Sequence, residues 1–415
     1  MVGLSLALIL SAESRARGCR LAITILESGA AQAARTVSPG FNSRATALSL
    51  TSIELLEALG LWSALAPSAT SIRHVHVSDR GHSGRVNIRA DDNQSRVLGA
   101  VIDNATLGRA IEKHIACYDD ITLRYEVSVS DLSLNEHGAY VSWTDAAEQR
   151  SVQAALVVLA DGADSPLRSK LGLQTRWHDY EQDALLANVE YEQPHKGVAY
   201  ERFTPQGPLA LLPLGGSDQG RRSALIWTHP KGQVNERLAL ADTAFLDQLQ
   251  RVFGYRLGCF TRVGERKAYP LRLGLAVEQV RSSLVLMGNA AHSLHPIAGQ
   301  GFNLALRDAA HLAAKLLSAA QAGQKIGSLS VLQAYLDAQR QDQSLTTWIS
   351  HNTNRLFASP SPILQLGRNL GLLATECCPT FKASLLSQMI GRGSARAPLA
   401  LYTMACSRRT CEQQL

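Results

Sequence analysis

Leu284-Val285-Leu286-Met287-Gly288-Asn289-Ala290-Ala291-His292-Ser293-Leu294-His295-Pro296-Ile297-Ala298-Gly299-Gln300-Gly301-Phe302-Asn303-Leu304-Ala305-Leu306-Arg307-Asp308 is the stretch from which the architecture can be read. Its opening apolar run reads as a buried strand that delivers Gly288. A turn anchored by Pro296 follows, and Gly299 and Gly301 open a long helix. Glycines let backbone amides approach a ligand closely, and a helix N-terminus presents unpaired N–H groups carrying partial positive charge. Such a turn suits an electron-rich ligand edge, such as the N1–C2=O edge of a reduced isoalloxazine. The plainer reading is a glycine-rich strand-to-helix turn with no ligand.

Upstream, residues 3 to about 12 are small and aliphatic on all sides, as in a helix packed tightly onto a sheet. Leu21-Ala22-Ile23-Thr24-Ile25-Leu26 then reads as a buried parallel strand ending in the acid Glu27. Helix, strand and terminal acid form half of a nucleotide-binding βαβ unit, in which G-x-G-x-x-G follows a strand and an acid about 20 residues on binds ribose hydroxyls. Gly3 stands at the third glycine, and the expectation is that a hydrophobic strand and Gly-x-Gly precede Met1 in the functional protein. The alternative is that Gly3 starts an ordinary helix.

Alternating apolar and polar residues over 71 to about 100, 122–158 and much of 183–275 predict antiparallel strands, and the chain beyond about 330 is mainly helical. Val157-Val158-Leu159-Ala160 closes a buried strand pointing at Asp161-Gly162.

The chain has 415 residues, 46% of them apolar, enough for a full core and too many for one ordinary compact domain. Its net charge is +6, but the basic residues are scattered, which argues against a nucleic-acid partner. Seven cysteines without a C-x-x-C pair fit reduced thiols, with no metal-ligand spacing. The apolar run Leu4–Leu10 lacks a basic flank, and no stretch approaches the ~20 apolar residues of a spanning helix. A cytoplasmic protein, soluble or peripheral to the inner membrane, is expected.

The 284–308 run resembles the flavin-contacting motif of the class A flavoprotein aromatic hydroxylases, the family of para-hydroxybenzoate hydroxylase. Its His-Pro-Ile-Ala-Gly-Gln-Gly-Phe-Asn-Leu string is similar to the ubiquinone-biosynthesis branch acting on polyprenylated methoxyphenols. Sibling ring hydroxylases usually carry Gly-Asp and Asn-Pro-Leu where this chain has Gly288-Asn289 and His295-Pro296-Ile297. His76-Val77-Ser78-Asp79-Arg80-Gly81-His82, Glu201-Arg202-Phe203-Thr204 and Gly207-Pro208-Leu209-Ala210-Leu211-Leu212-Pro213 add to the likeness, which spans residues 1 to about 390.

The resemblance implies an α/β, Rossmann-like FAD-binding fold lacking its first strand, with an inserted antiparallel sheet and a helical C-terminus. The expected FAD-binding parts are 1–70, 100–180 and 276–330. The substrate-facing sheet takes 71–99 and 181–275, a helical region 331–391, and a disordered tail 392–415. Gly3, Glu27, Arg44, Asp161, Gly162, Arg168, Gly288, Asn289, Pro296, Gly299, Gln300, Gly301, Phe302 and Asn303 are the expected FAD contacts. Within these, Arg44 and Arg168 are assigned to phosphate, and Asn289 replaces an aspartate that holds a ribityl hydroxyl. NADPH or NADH is the implied electron donor and O2 the co-substrate. His295, with Pro296 beside it, is the candidate catalytic position, as a base for the phenol or as a cap on the turn. The helical end near Leu356 to Gly391 offers either a membrane-facing surface for a lipid-tailed substrate or packing against the FAD domain. Two rivals stay open: a hydroxylase of a small soluble aromatic, whose pocket needs a buried arginine, and a non-catalytic FAD-fold scaffold among ubiquinone-biosynthesis proteins.

Overall fold

The computed structural model describes every residue except 32–40, 83, 94, 146–147, 216–219, 296–298, 359–374, 377, 394 and 403–415. Its strands are β1 (Ile23–Leu26), β2 (Ala45–Ser49), β3 (Thr70–Ile72), β4 (His74–Asp79), β5 (Arg85–Arg89), β6 (Gly99–Asp103), β7 (Ile121–Arg124), β8 (Ser128–Asn135), β9 (Gly138–Asp145) and β10 (Glu148–Ala154). They continue with β11 (Val157–Leu159), β12 (Thr175–Tyr191), β13 (Val198–Phe203), β14 (Leu209–Leu214), β15 (Arg222–Pro230), β16 (Phe260–Val263), β17 (Lys267–Ala276), β18 (Val280–Arg281), β19 (Leu284–Leu286) and β20 (His292–Ser293). The helices that matter for the site are α1 (Val2–Ala16), α2 (Leu50–Ala58), α3 (Asn104–Ile115), α4 (Asp242–Phe253), α5 (Gln300–Gln321), α6 (Leu329–Ala358) and α7 (Pro379–Met389).

The α/β expectation holds. Parallel pairing joins β1 to β7 and β11 to β19, where Val157 lies opposite Leu284 and Leu159 opposite Leu286. That register sets the ends of two strands side by side, so Asp161 and Gly288 leave the sheet together. Helix α1 is uncharged through Ala12 and buried on nearly every side, with Leu6, Leu8 and Ile9 in one core with Leu306, Leu312 and Leu316 of α5. Helix α3 starts where the Asp103 carboxylate accepts from Thr106 N–H, and buries Leu107, Ile111 and Ile115 at helical spacing.

The largest sheet runs β20-β17-β12-β15-β14-β13-β4-β5, with β16 pairing β12. The alternation of its strands divides two apolar faces. Leu209, Leu211, Leu225 and Trp227 pack against Phe245, Leu249 and Phe253 of α4. Val75, Ala199, Leu212 and Leu214 form the other face, together with Leu386 of α7.

The segment 395–402, assigned to a disordered tail from sequence, is instead packed. The buried Glu13 carboxylate accepts from the N–H groups of Ala400 at 2.7 Å and Leu401 at 3.1 Å, while Arg17 donates to Pro398 O. An acid on α1 thus holds a strap far away in the chain, a pairing that no local pattern announces. The remainder of the tail, 403–415, lies outside the described residues.

Candidate functional site

Two groups of the expected residues come together at different places. The first lies at the carboxyl ends of β11 and β19. Gly3 sits in the first turn of α1, where a Cβ would lie 3.8 Å from Ala160. Gly288 adopts φ +60° and packs so closely on Val2 that a Cβ would come within 3.1 Å of it, so only glycine serves here without strain. Asp161 is exposed and takes a 2.6 Å hydrogen bond from Ser165 Oγ, Gly162 turns at φ +101°, and Asn289 is exposed beside them. Glu27 follows β1, its carboxylate accepting from Gly29 N–H at 2.8 Å.

Arg168 departs from its expected role. It is buried, with Nη1 donating to Ala290 O at 2.9 Å and Nη2 to Ala163 O at 2.5 Å. A planar guanidinium whose fork already holds two carbonyls is a brace between the 161–165 and 288–291 turns rather than a free phosphate ligand. Arg44, by contrast, is exposed ahead of β2, its guanidinium 4.7 Å from the Tyr269 ring centroid.

The second group surrounds the start of α5. Gly299 occupies the left-handed region at φ 60°, ψ 29°, and no side chain caps the helix. A Cβ on Gly301 would meet nothing within 4 Å, so the approach to the helix N-terminus is open. Gln300 Oε1 is buried with no hydrogen-bond partner among the described residues. Phe302 is partly buried against the core. An open turn, an uncapped helix of 22 residues and an orphaned amide oxygen together fit a ligand edge that both accepts and donates, as a flavin does. Asn303 is a correction: its Oδ1 accepts from Ser49 N–H and Ser52 Oγ, and its Nδ2 donates to Ala47 O and Gly299 O. All its hydrogen-bonding capacity is spent riveting α5 to β2, so its amide shapes the turn and has no bond left for a ligand.

His295 is 1% exposed, and burial pushes its imidazole down to about 3. Its ring stands edge-on to Tyr180 at 5.1 Å and its carbonyl accepts from Ser350 Oγ. Burial keeps the ring neutral, and its edge-on contact with Tyr180 packs it into the protein. Pro296 lies outside the described residues. A buried pair not foreseen from sequence, His292 Nε2 with Asp308 Oδ2 at 2.6 Å, fastens β20 to α5, and Gln343 of α6 donates to the same carboxylate.

Between the turn and the large sheet lies a cavity of about 80 Å³. Gly299, Gln300 and Asn303 form one wall, and Val75, Leu212 and Ile226 belong to the wall opposite. No Lys or Arg lines it among the described residues. Glu201 of β13 does line it, and burial alone pushes its carboxyl up to about 7. In the sequence this residue stands within the Glu201-Arg202-Phe203-Thr204 string. Its position in Ala199-Tyr200-Glu201-Arg202-Phe203, in phase with the apolar Ala199 and Phe203, was the available signal. A larger cavity of about 300 Å³, between α2, α5 and the 391–397 strap, is lined by Glu54, Arg307, Arg392 and Arg396. It is remote in character from an apolar ring site, and none of the expected site residues reaches it.

The family profile described as FAD binding domain matches residues 2–358. The chain belongs to this FAD-binding family. It is an FAD-dependent monooxygenase. The ubiquinone hydroxylase UbiL of Rhodospirillum rubrum is 34% identical over 355 residues, which are 86% of this chain and 81% of that protein. The 3-demethoxyubiquinol 3-hydroxylase of Escherichia coli is 28% identical over 84% of this chain and 87% of its own length. Among solved structures, the p-nitrophenol 4-monooxygenase PnpA of Pseudomonas putida superposes with a TM-score of 0.75 at 20% identity, over 95% of this chain and 96% of that one. That likeness establishes the fold of the FAD-binding family here.

Proposed function

We propose that this monooxygenase uses NADPH or NADH and O2 to hydroxylate the aromatic ring of a polyprenylated methoxyphenol in ubiquinone biosynthesis. The observation that carries the reading is the apolar cavity, free of Lys and Arg among its described lining, that faces the glycine turn at the start of α5. A small aromatic acid asks for a buried cation, and a prenylated phenol asks for apolar walls. The names of the ubiquinone hydroxylase relatives support the same substrate class.

FAD, when bound, supplies the redox chemistry that activates O2. The amides at Gly299 to Gly301 would hold the electron-rich edge of its ring system, and Gln300 Oε1 would be available to a ring N–H. Gly3, Glu27, Asp161, Gly162, Gly288 and Asn289 would hold its ribityl, phosphate and ribose portions, and the exposed Arg44, just ahead of β2, would supply a cation for the pyrophosphate. Arg168 and Asn303 hold the two turns in place. Val75, Leu212 and Ile226 exclude water from the reacting ring and orient it toward the turn.

No helix among the described residues is long and apolar enough to cross a membrane. Collection of a lipid-tailed substrate is assigned to peripheral contact, through Trp348 on α6 and Phe381 on α7, which are 63% and 65% exposed. Residues 359–374 of the helical end expected to make this contact lie outside the described residues.

The test is turnover. The FAD-loaded chain, given NAD(P)H, air and a short-chain polyprenyl-methoxyphenol, forms a product carrying one atom of oxygen from labelled O2. NAD(P)H oxidation that small aromatic acids stimulate and prenylated phenols do not would overturn the substrate assignment.

A further inference from the structure

Glu201 has no established task in the reaction, and its surroundings give it one. The face of the sheet that it shares is apolar: Val77 lies opposite it on β4 and Ala210 on β14. Across the cavity stand Gln300 and Asn303 of α5 and Met389 of α7, all uncharged. The nearest ionic cluster, Arg202, Arg256 and His76, belongs to the opposite face of β13 and β4, where Tyr200 also turns its ring toward Phe253. No ion pair and no hydrogen bond to the Glu201 side chain occurs among the described residues. Glu201 is half-buried, its carboxylate facing the cavity without a protein partner among the described residues, so a ligand entering the cavity takes the place of water as its hydrogen-bond partner.

We infer that Glu201 receives the ring hydroxyl of the aromatic substrate as a hydrogen bond and accepts its proton during oxygen transfer. This deepens the hydroxylase reading and rests on it. The carboxylate accepts from the phenol O–H, and as the ring carbon takes on oxygen the proton passes to Glu201, leaving its electron pair on the phenolic oxygen. That electron pair enriches the ring at the ortho and para carbons, which is what an electrophilic oxygen requires. The ring C–O bond forms as the O–O bond breaks, the second oxygen leaving as water with the electron pair of NAD(P)H; the ring carbon then gives up its C–H proton to solvent, and Glu201 returns the phenolic proton as the product leaves, ending unchanged. The oxidant is O2 with NAD(P)H, as in the reaction itself. A carboxyl held near 7 is poised for this exchange at neutral pH, unlike the His295 ring held near 3. Specificity follows: a free hydroxyl is recognised and its methyl ether is not.

The experiment measures binding without turnover, using the full chain loaded with FAD. A short-prenyl 2-methoxyphenol and its O-methyl ether are titrated from pH 6 to 8, with perturbation of the flavin absorbance as the signal. With the carboxyl near 7, its ionised fraction rises from about a tenth to about nine tenths over this range, so binding of the phenol tightens roughly tenfold. Glu201→Gln keeps the size and loses the slope. Glu201→Asp restores a slope with weaker binding. The ether shows no slope in any of the three proteins. An unchanged slope in Glu201→Gln, or ether binding that matches the phenol in the parent chain, would overturn the assignment. Failure of the parent chain to form hydroxylated product would count against the hydroxylase reading alone, because the binding comparison is read separately.

Discussion

Replacing Glu201 by Gln raises stability at alkaline pH while removing the acid from the site. A carboxyl ordinarily at 4.5 sits at about 7 in the fold, with burial as the cause. The sign follows from linkage: below pH 4.5 folded and unfolded chains are both protonated and no penalty exists. Between 4.5 and 7 the unfolded chain ionises first, so stability falls as pH rises, and above 7 the folded state bears the full burden. The shift corresponds to at most roughly 3 kcal/mol, and water reaching the side chain through the cavity lowers this to about 1–3 kcal/mol. Glutamine is uncharged at every pH and escapes the penalty. For a chain of this length, each kcal/mol moves the melting temperature by roughly 1 °C, so Glu201→Gln melts about 1–3 °C higher at pH 8 and converges with the parent toward pH 5. Parallel melts of the two proteins across that range check it. A constant difference at all pH values, or a variant destabilised at pH 8, would show that Glu201 is not a desolvated acid.

Three further variants probe the turn and the membrane surface. Gly299→Ala puts a Cβ at a left-handed position 3.3 Å from Ala47, costing about 1–2 kcal/mol and weakening FAD binding, as read by flavin fluorescence titration. Asn303→Leu strands Ser49 N–H and the carbonyls of Ala47 and Gly299, so a loss of about 3 kcal/mol or more in urea unfolding is expected, with the FAD lost alongside. Trp348→Ser combined with Phe381→Ser lowers co-sedimentation with phospholipid vesicles and leaves turnover of a short-tailed, water-soluble substrate unchanged; equal co-sedimentation would remove these residues from the membrane contact.

The strand-turn-helix core was legible because its signals are local. An apolar run, glycines at 299 and 301 and a long apolar helix lie within about 40 residues, and each forces the next. The carbonyl bracing by Arg168, the riveting by Asn303 and the strap held by Glu13 were not legible. Each depends on a partner that the fold brings from a distance: Ala290, Ser49 and Ala400 are 122, 254 and 387 positions away. A motif gives a residue type at a position, and the type alone does not say whether its hydrogen bonds point at a ligand or into the protein. Glu201 escaped for the converse reason. An acid in a strand is ordinarily a solvated residue, and only the pairing of β13 between β4 and β14 turns it toward an apolar cavity.

The most direct test is an absorbance titration of the purified chain with FAD, followed by addition of the short-prenyl methoxyphenol. A flavin bound along the glycine turn beside the cavity gives a resolved, yellow protein spectrum at one FAD per chain, and the phenol then shifts it. A chain that stays colourless in excess FAD, or a bound flavin indifferent to the phenol, would contradict the placement of flavin and substrate on either side of Gly299.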